Sequence, residues 1–343
     1  MKISKREQYK SREERRREVA NDGIERITLS FYKYVPIDNP ETVRDELFEK
    51  WYTLGCLGRI YLAHEGINAQ MNVPKDNWDT FDAHLKSIPE FNDIPYKIAI
   101  NQDNTSFYKL TVKIKEKIVA DGLDDESFDP SNTGAYLSAK EMNEYINDPE
   151  SVVIDMRNAY ESEIGYFENA HRMQVDTFRE QLAKVGEEFS DKKDTKIALY
   201  CTGGIRCEKA SAWMKHQGFR NVRHIKGGII SYRHQVEEEG IENKFRGTNF
   251  VFDERLGERI GEEPVSYCHL CNKQKTDQYY HCGYVPCHAL HLACDKCHGA
   301  KHGYCSSRCR VLNSLPSKIN KRIARYISRR ASRNPLYRKR RLV

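Results

Sequence analysis

Tyr200-Cys201-Thr202-Gly203-Gly204-Ile205-Arg206-Cys207 is the stretch whose reading decides the fold of this chain. Ile197 to Tyr200 form a short apolar run of the kind buried in a parallel sheet. Cys207 to His216 read as a helix with Ala210, Trp213 and Met214 on an apolar side and Gly218 as its stop. Strand, loop from Cys201 to Arg206, and helix in succession are the repeating unit of a parallel α/β sheet, whose working groups sit beyond the carboxyl ends of the strands. Gly203 and Gly204 let successive backbone N–H groups turn inward as a nest for an anion, with Thr202 and Ile205 completing the cradle. A cysteine at the rim of that nest, near a helix N-terminus and Arg206, is expected to be a thiolate and a nucleophile. A buried cysteine before an ordinary helix is the plainer alternative. Two glycines and an arginine in one turn favour the reactive reading.

Working outward, Val152, Val153 and Ile154 form a second buried strand, ending in Asp155-Met156-Arg157. Asp155 and Arg157 read as an internal ion pair that orders the neighbouring loop. Ser138 to Glu141 and Thr177 to Glu180 are capping boxes that each start a helix. Val222–Ile225, Gly227-Gly228 and a polar helix towards Gly240 close this α/β domain, set at residues 135–246. Before it, alternating Ile27, Leu29 and Phe31 start a strand, and Asn39-Pro40 starts a helix with Val43, Leu47, Trp51 and Leu54 on one face. Strands at 60–63 and 67–73, a helix around Trp78, Phe81 and Leu85, and a strand at 96–100 complete a βαββαβ order, with a further strand at 107–119. That order is the ferredoxin-like α+β arrangement, assigned to residues 22–121. Residues 1–21 read as a charged lead, frayed-helical or disordered, and 122–134 as a linker. The fold class is therefore multidomain α/β.

Eight cysteines, Cys268, Cys271, Cys282, Cys287, Cys294, Cys297, Cys305 and Cys309, crowd a small C-terminal module at 247–315. Two Cys-x-x-Cys pairs, one Cys-x4-Cys and one Cys-x3-Cys supply ligands for two tetrahedral Zn2+ sites. The module is too poor in apolar residues to fold readily without such a staple. His269, His281, His288, His291, His298 and His302 are further possible ligands, and the spacing does not say which thiols share a metal. Disulfides are the alternative in an oxidising compartment. The charged N-terminus lacks a secretory signal pattern, so a cytoplasmic location is expected.

Charged residues make up 31% of the 343, and mean hydropathy is −0.77, which leaves no membrane-spanning run. Net charge is +6, but residues 316–343 hold eleven Lys or Arg and no Asp or Glu; subtracting that +11 leaves −5 for the rest. A polyanion is the expected partner of this basic tail, with Arg329, Arg330, Arg338, Arg340 and Arg341 placed to meet phosphates. No RNP motif or KH loop is present, and no protein partner is inferred.

Val152–Arg157, the segment through Glu161, Gly165 and Ala170, and Cys201–Arg206 together resemble a rhodanese domain. In that family the loop cysteine carries a persulfide or attacks another electrophile within a cradle of amides. The usual Gly-His of the middle segment is Gly165-Tyr166 here, which withdraws any role for that histidine. Ala63-His64-Glu65-Gly66-Ile67-Asn68, the Cys201–Ala210 stretch, and Phe252-Asp253-Glu254-Arg255 ahead of the cysteine array narrow the match. Over about residues 22–315 the chain is similar to the rhodanese-like tRNA uridine hydroxylases, which form 5-hydroxyuridine at the wobble position with molecular oxygen. The resemblance implies an oxidoreductase acting on the anticodon region of tRNA, with an unidentified reductant and Cys201 as the reactive thiolate. A sulfurtransferase carrying a persulfide on Cys201 is the second expectation. A non-catalytic, zinc-bearing RNA-binding protein is the third.

Overall fold

The computed structural model describes residues 10–124, 128–316, 320 and 323. They form two compact units. One runs through Asn158 and resumes at Asn169–Lys244 and Val251–Arg255; the other comprises Ala159–Glu168, Phe245–Phe250 and the chain from Leu256 on.

The first unit opens on α1 (Arg12–Asn21), a helix in the lead that the sequence left as frayed-helical or disordered. Ser11 accepts from the Glu14 amide while the Glu14 carboxylate accepts from the Ser11 amide, and this reciprocal cap holds the helix start. Then follow β1 (Arg26–Tyr34), α2 (Pro40–Thr53), β2 (Leu57–Ala63), β3 (Gly66–Pro74), α3 (Trp78–Ser87), β4 (Lys97–Ile98) and β5 (Leu110–Ile114). The sheet order is β4-β1-β3-β2-β5, antiparallel except for β5, which runs parallel to β2 at the edge. This is the ferredoxin-like arrangement with one added edge strand. β4 and β5 are shorter than the apolar runs at 96–100 and 107–119 suggested. Residues 99–109 instead bend away, and the Gln102 and Asn104 side chains accept from the amides of Thr28 and Arg26 on β1. Phe31, Trp51 and Phe81 fill the core, with Trp51 5.3 Å from Phe81 and edge-on to Phe31 at 6.3 Å. Burying each such ring stabilises by about 1.5–3 kcal/mol.

The same unit continues with β6 (Ala135–Leu137), α4 (Ala139–Asn147) and β7 (Ser151–Asp155). α5 (Ala159–Glu163) and β8 (Gly165–Phe167) intervene and belong to the other unit. β9 (His171–Arg172), α6 (Phe178–Glu188), β10 (Lys196–Tyr200), α7 (Ile205–His216), β11 (Val222–Ile225) and α8 (Gly228–Glu239) complete the α/β domain. Its sheet, β6-β11-β10-β7-β9, is parallel throughout. Central strand β10 has its apolar residues Ile197 to Tyr200 fully buried, as a strand covered on both faces requires. Both expected capping boxes form, at Ser138/Glu141 and Thr177/Glu180.

In the second unit, β12 (Phe245–Asn249) lies between β8 and β13 (Glu258–Arg259), antiparallel to both. β14 (Tyr279–His281) pairs antiparallel with β15 (Leu290–Leu292), and the short helices α9 (Asp295–Ala300) and α10 (Ser307–Ser314) follow. Among the described residues, no helix is long and apolar enough to cross a membrane.

Candidate active site and paired thiol clusters

Cys201 follows the last residue of β10 and is fully buried. Its carbonyl and that of Thr202 accept from the amides of Ile229 and Ile230, so the first turn of α8 fixes the outgoing backbone. That approach requires Gly228: its φ is +70°, and a Cβ there would stand 2.5 Å from the Cys201 carbonyl oxygen. Gly204, with φ +98°, turns the chain directly into α7, and its N–H donates to Cys201 Sγ at 3.1 Å. The helix thus starts at Ile205, two residues before the start suggested by the apolar pattern. Arg206 and Cys207 consequently lie in its first turn.

Burial alone would push the Cys201 thiol up. A hydrogen bond with Cys207, the Arg206 guanidinium and the amides of Cys207 and Gly204 outweigh it and bring Cys201 down to about 6. Cys207 moves the opposite way, raised well above 9.0 chiefly by burial, and so stays a thiol next to its ionised neighbour. Arg206 is itself buried, its guanidinium 5.7 Å over the Phe252 ring. On the adjacent strand Arg157 makes a bidentate pair with Asp155, Nε–Oδ1 2.9 Å and Nη2–Oδ2 2.7 Å. Tyr200 donates to Asp155 Oδ2 at 2.7 Å and Gln181 to the Asp155 carbonyl at 2.5 Å. β7 and β10 are thereby fastened at the end where Cys201 emerges.

The N-terminal sheet lies against this loop within the same unit. The buried Lys209 ammonium on α7 meets Glu65 Oε1 and Oε2 at 2.9 and 2.7 Å and Asp121 Oδ2 at 2.6 Å. Glu65 also accepts from the Ile118 amide at 2.8 Å. The turn at 63–68 and the α7 stretch, which read as separate signatures in the sequence, are therefore the two halves of one buried ionic clamp. Glu208, beside Lys209, accepts from the hydroxyls of Tyr32 and Tyr136, each at 2.9 Å, and Tyr34 donates to the Ile205 carbonyl at 3.2 Å. Lys97 on β4 places its ammonium 4.1 Å from the centroid of the Tyr32 ring.

Sequence reasoning missed Tyr32, Tyr34 and Lys97, which lie more than 100 positions from Cys201. The available signal was weak: two tyrosines at i and i+2 put polar aromatics on one face of β1, while alternation marked the other face as core.

In the second unit the eight cysteines form two sets of four. Cys268, Cys271, Cys294 and Cys297 make one; Cys282, Cys287, Cys305 and Cys309 make the other; within each set the sulfurs lie within 4.8 Å of one another. Alternate pairs along the chain combine, so the two sets interleave. Sulfurs at 3.8 Å (Cys287–Cys305) and 3.7 Å (Cys305–Cys309) match the roughly 3.8 Å expected between corners of a tetrahedron with 2.3 Å metal–sulfur arms. A disulfide needs about 2.05 Å. The donor chemistry and spacing thus fit a metal ion in each set. Neither set draws on the candidate histidines: His269 meets Glu163 Oε1 at 2.8 Å, His298 stacks on Tyr280, and His281 stacks on His288. The tail arginines Arg329, Arg330, Arg338, Arg340 and Arg341 lie outside the described residues.

Three family matches cover these parts in order. Residues 26–118 match the UPF0176 acylphosphatase like domain, 138–235 the rhodanese-like domain and 246–310 the rhodanese C-terminal family. A tRNA uridine(34) hydroxylase of Leptospira interrogans is 49% identical over 308 residues, covering 90% of this chain and 84% of its own. Those of Salmonella arizonae and Escherichia fergusonii are 49% and 48% identical, each covering 87% of this chain and 85% of its own. With its domains in this order and close to half its residues shared across nearly its whole length, the chain belongs to the tRNA uridine(34) hydroxylase family.

Proposed function

We propose that this protein hydroxylates uridine 34 of tRNA to 5-hydroxyuridine and that the Cys201 thiolate is its reactive group. The observation that carries the reading is a fully buried cysteine whose thiol is held down to about 6 by an arginine, a neighbouring thiol and two amides, in a chain of this family. Uracil C5–C6 is an enone-like double bond. A thiolate adding at C6 moves the π pair towards C5 and O4, leaving C5 rich enough in electrons to capture oxygen. One oxygen atom of O2 stays on C5. The other leaves as water, which takes two electrons and two protons from a reductant, and loss of the C5 proton with expulsion of the thiolate from C6 restores the C5–C6 double bond. The amides of the loop suit the anionic stages of this sequence.

Each four-thiol set would hold one structural Zn2+, supplying folding energy to a module with little apolar core. The basic tail would grip phosphates near the anticodon, in the cytoplasm, while the wobble base is extruded towards Cys201. Nucleoside mass spectrometry of tRNA from cells lacking the protein tests the function. Loss of 5-hydroxyuridine and its derivatives is the expected result. Loss of thiolated nucleosides would point instead to a persulfide on Cys201, and an unchanged profile to a non-catalytic RNA-binding role.

A further inference from the structure

Lys97 stands at the edge of the Cys201 loop, and among the described residues it has no salt-bridge partner. It is 7% exposed, and among the described residues no carboxylate or other hydrogen-bond acceptor lies within bonding distance of its ammonium. Among the described residues its charge-complementary contact is the face of Tyr32, 4.1 Å away. The stem runs along the two glycine turns that flank Cys201. Lys97 Cδ is 4.0 Å from where a Cβ on Gly203 would stand, and Cε is 3.5 Å from the equivalent point on Gly227. The strand that carries it is pinned by His234 on α8, whose Nε2 meets the Ile98 carbonyl at 2.9 Å. Burial lowers the Lys97 ammonium from 10.5 to about 8, against the pull of Glu208 and Cys201, so it is a readier hydrogen-bond donor than a surface lysine and is still largely charged at neutral pH.

We propose that Lys97, delivered by the N-terminal domain, donates a hydrogen bond to the uracil carbonyl oxygen O4 as the Cys201 thiolate adds to C6. The inference rests on the thiolate-addition reading above. In that step the S–C6 bond forms, the C5–C6 π bond opens and its electron pair shifts to the O4 enolate, with no net oxidation. A point charge beside the sulfur's loop is where such an oxyanion needs a donor. The Glu208 carboxylate, held by Tyr32 and Tyr136, makes the same spot less welcoming to a phosphate than to a neutral base that gains charge only on reaction. Arg206 serves the sulfur from the loop; Lys97 serves the base from the other side of the domain junction.

The test uses the full chain and a tRNA carrying 5-fluorouridine at position 34, whose covalent adduct with Cys201 needs neither oxygen nor reductant. Lys97→Met and Lys97→Gln are expected to slow adduct formation about 100-fold, with tRNA affinity and iodoacetamide alkylation of Cys201 within about threefold of the native chain, and Lys97→Arg to recover most of the rate. Native adduct rates in both neutral variants would overturn the inference. So would an equal loss of tRNA affinity, which assigns Lys97 to a phosphate, or an equal loss of alkylation, which assigns it to the sulfur. Absence of an adduct with the native chain would instead overturn the thiolate-addition reading on which the inference stands.

Discussion

Lys209→Met removes a 1% exposed ammonium from between Glu65 and Asp121 while keeping the side chain's length. Taking one partner from a buried ion pair costs about 3–5 kcal/mol, because the remaining charge has neither water nor counter-ion. The lower end applies here. Glu65 retains 20% side-chain exposure, and Asp121 keeps a second ammonium, Lys117, at 2.9 Å. At roughly 2–4 °C per kcal/mol for a unit of this size, about 3 kcal/mol becomes a fall of roughly 6–12 °C in the thermal unfolding midpoint at pH 7. Adding Glu65→Gln and Asp121→Asn should restore more than half of that loss, since no uncompensated charge is then buried. The acid limb supplies a second reading. Burial raises the Asp121 carboxyl, but Lys117 and Lys209 outweigh it and hold it below 3.8. A depressed carboxylate contributes stability that is present above its unfolded value and is lost as pH falls through the folded value. The native chain should therefore hold its stability down to about pH 4 and lose it below that, whereas Lys209→Met, whose carboxylates no longer gain from that ammonium, should lose less on acidification, so that the gap between the two narrows. Calorimetry that places Lys209→Met within 2 °C of the native chain would refute the clamp as an energetic feature.

Three further outcomes follow from the same geometry. Mass-spectrometric alkylation at Cys201 should titrate with a midpoint of about 6, and Arg206→Leu should shift it upward and slow alkylation by about tenfold below the native midpoint; an unmoved midpoint would remove Arg206 from the thiolate's support. Purified protein should carry two Zn2+ per chain, falling towards one in Cys294→Ser; metal-free native protein would overturn both proposed centres. Truncation after residue 315 should weaken tRNA binding and, if about half of the eleven tail cations neutralise phosphates, flatten the log–log salt slope by about 4; unchanged binding would exclude the tail as a contact.

Much of this site was legible because local chemistry sets it. Gly203 and Gly204 between an apolar run and a helix pattern announce a strand–nest–helix unit, and the capping boxes at Ser138 and Thr177 place their helices to the residue. Four cysteine pairs announce metal-binding turns, but which pairs combine depends on how β14 and β15 fold back, and spacing holds no record of that. The helix start was misplaced by two residues because Ile205 and Arg206 break the apolar periodicity, while the left-handed Gly204 decides the boundary. The clamp was invisible for another reason. Glu65 and Lys209 read as parts of two separate signatures and Asp121 carries no local signal, and only the docking of two sheets within one unit turns them into a buried set. Lys97 is the extreme case: a lysine on a two-residue strand carries no local signature of its surroundings.

The central claim is that Cys201 performs the chemistry on uridine 34. Its most direct test is the 5-hydroxyuridine content of tRNA from cells that lack the chromosomal copy and express either the native chain or Cys201→Ser at matched levels. The account predicts full restoration by the native chain and none by Cys201→Ser, with both proteins folded and equally able to bind tRNA. Restoration by Cys201→Ser would contradict it.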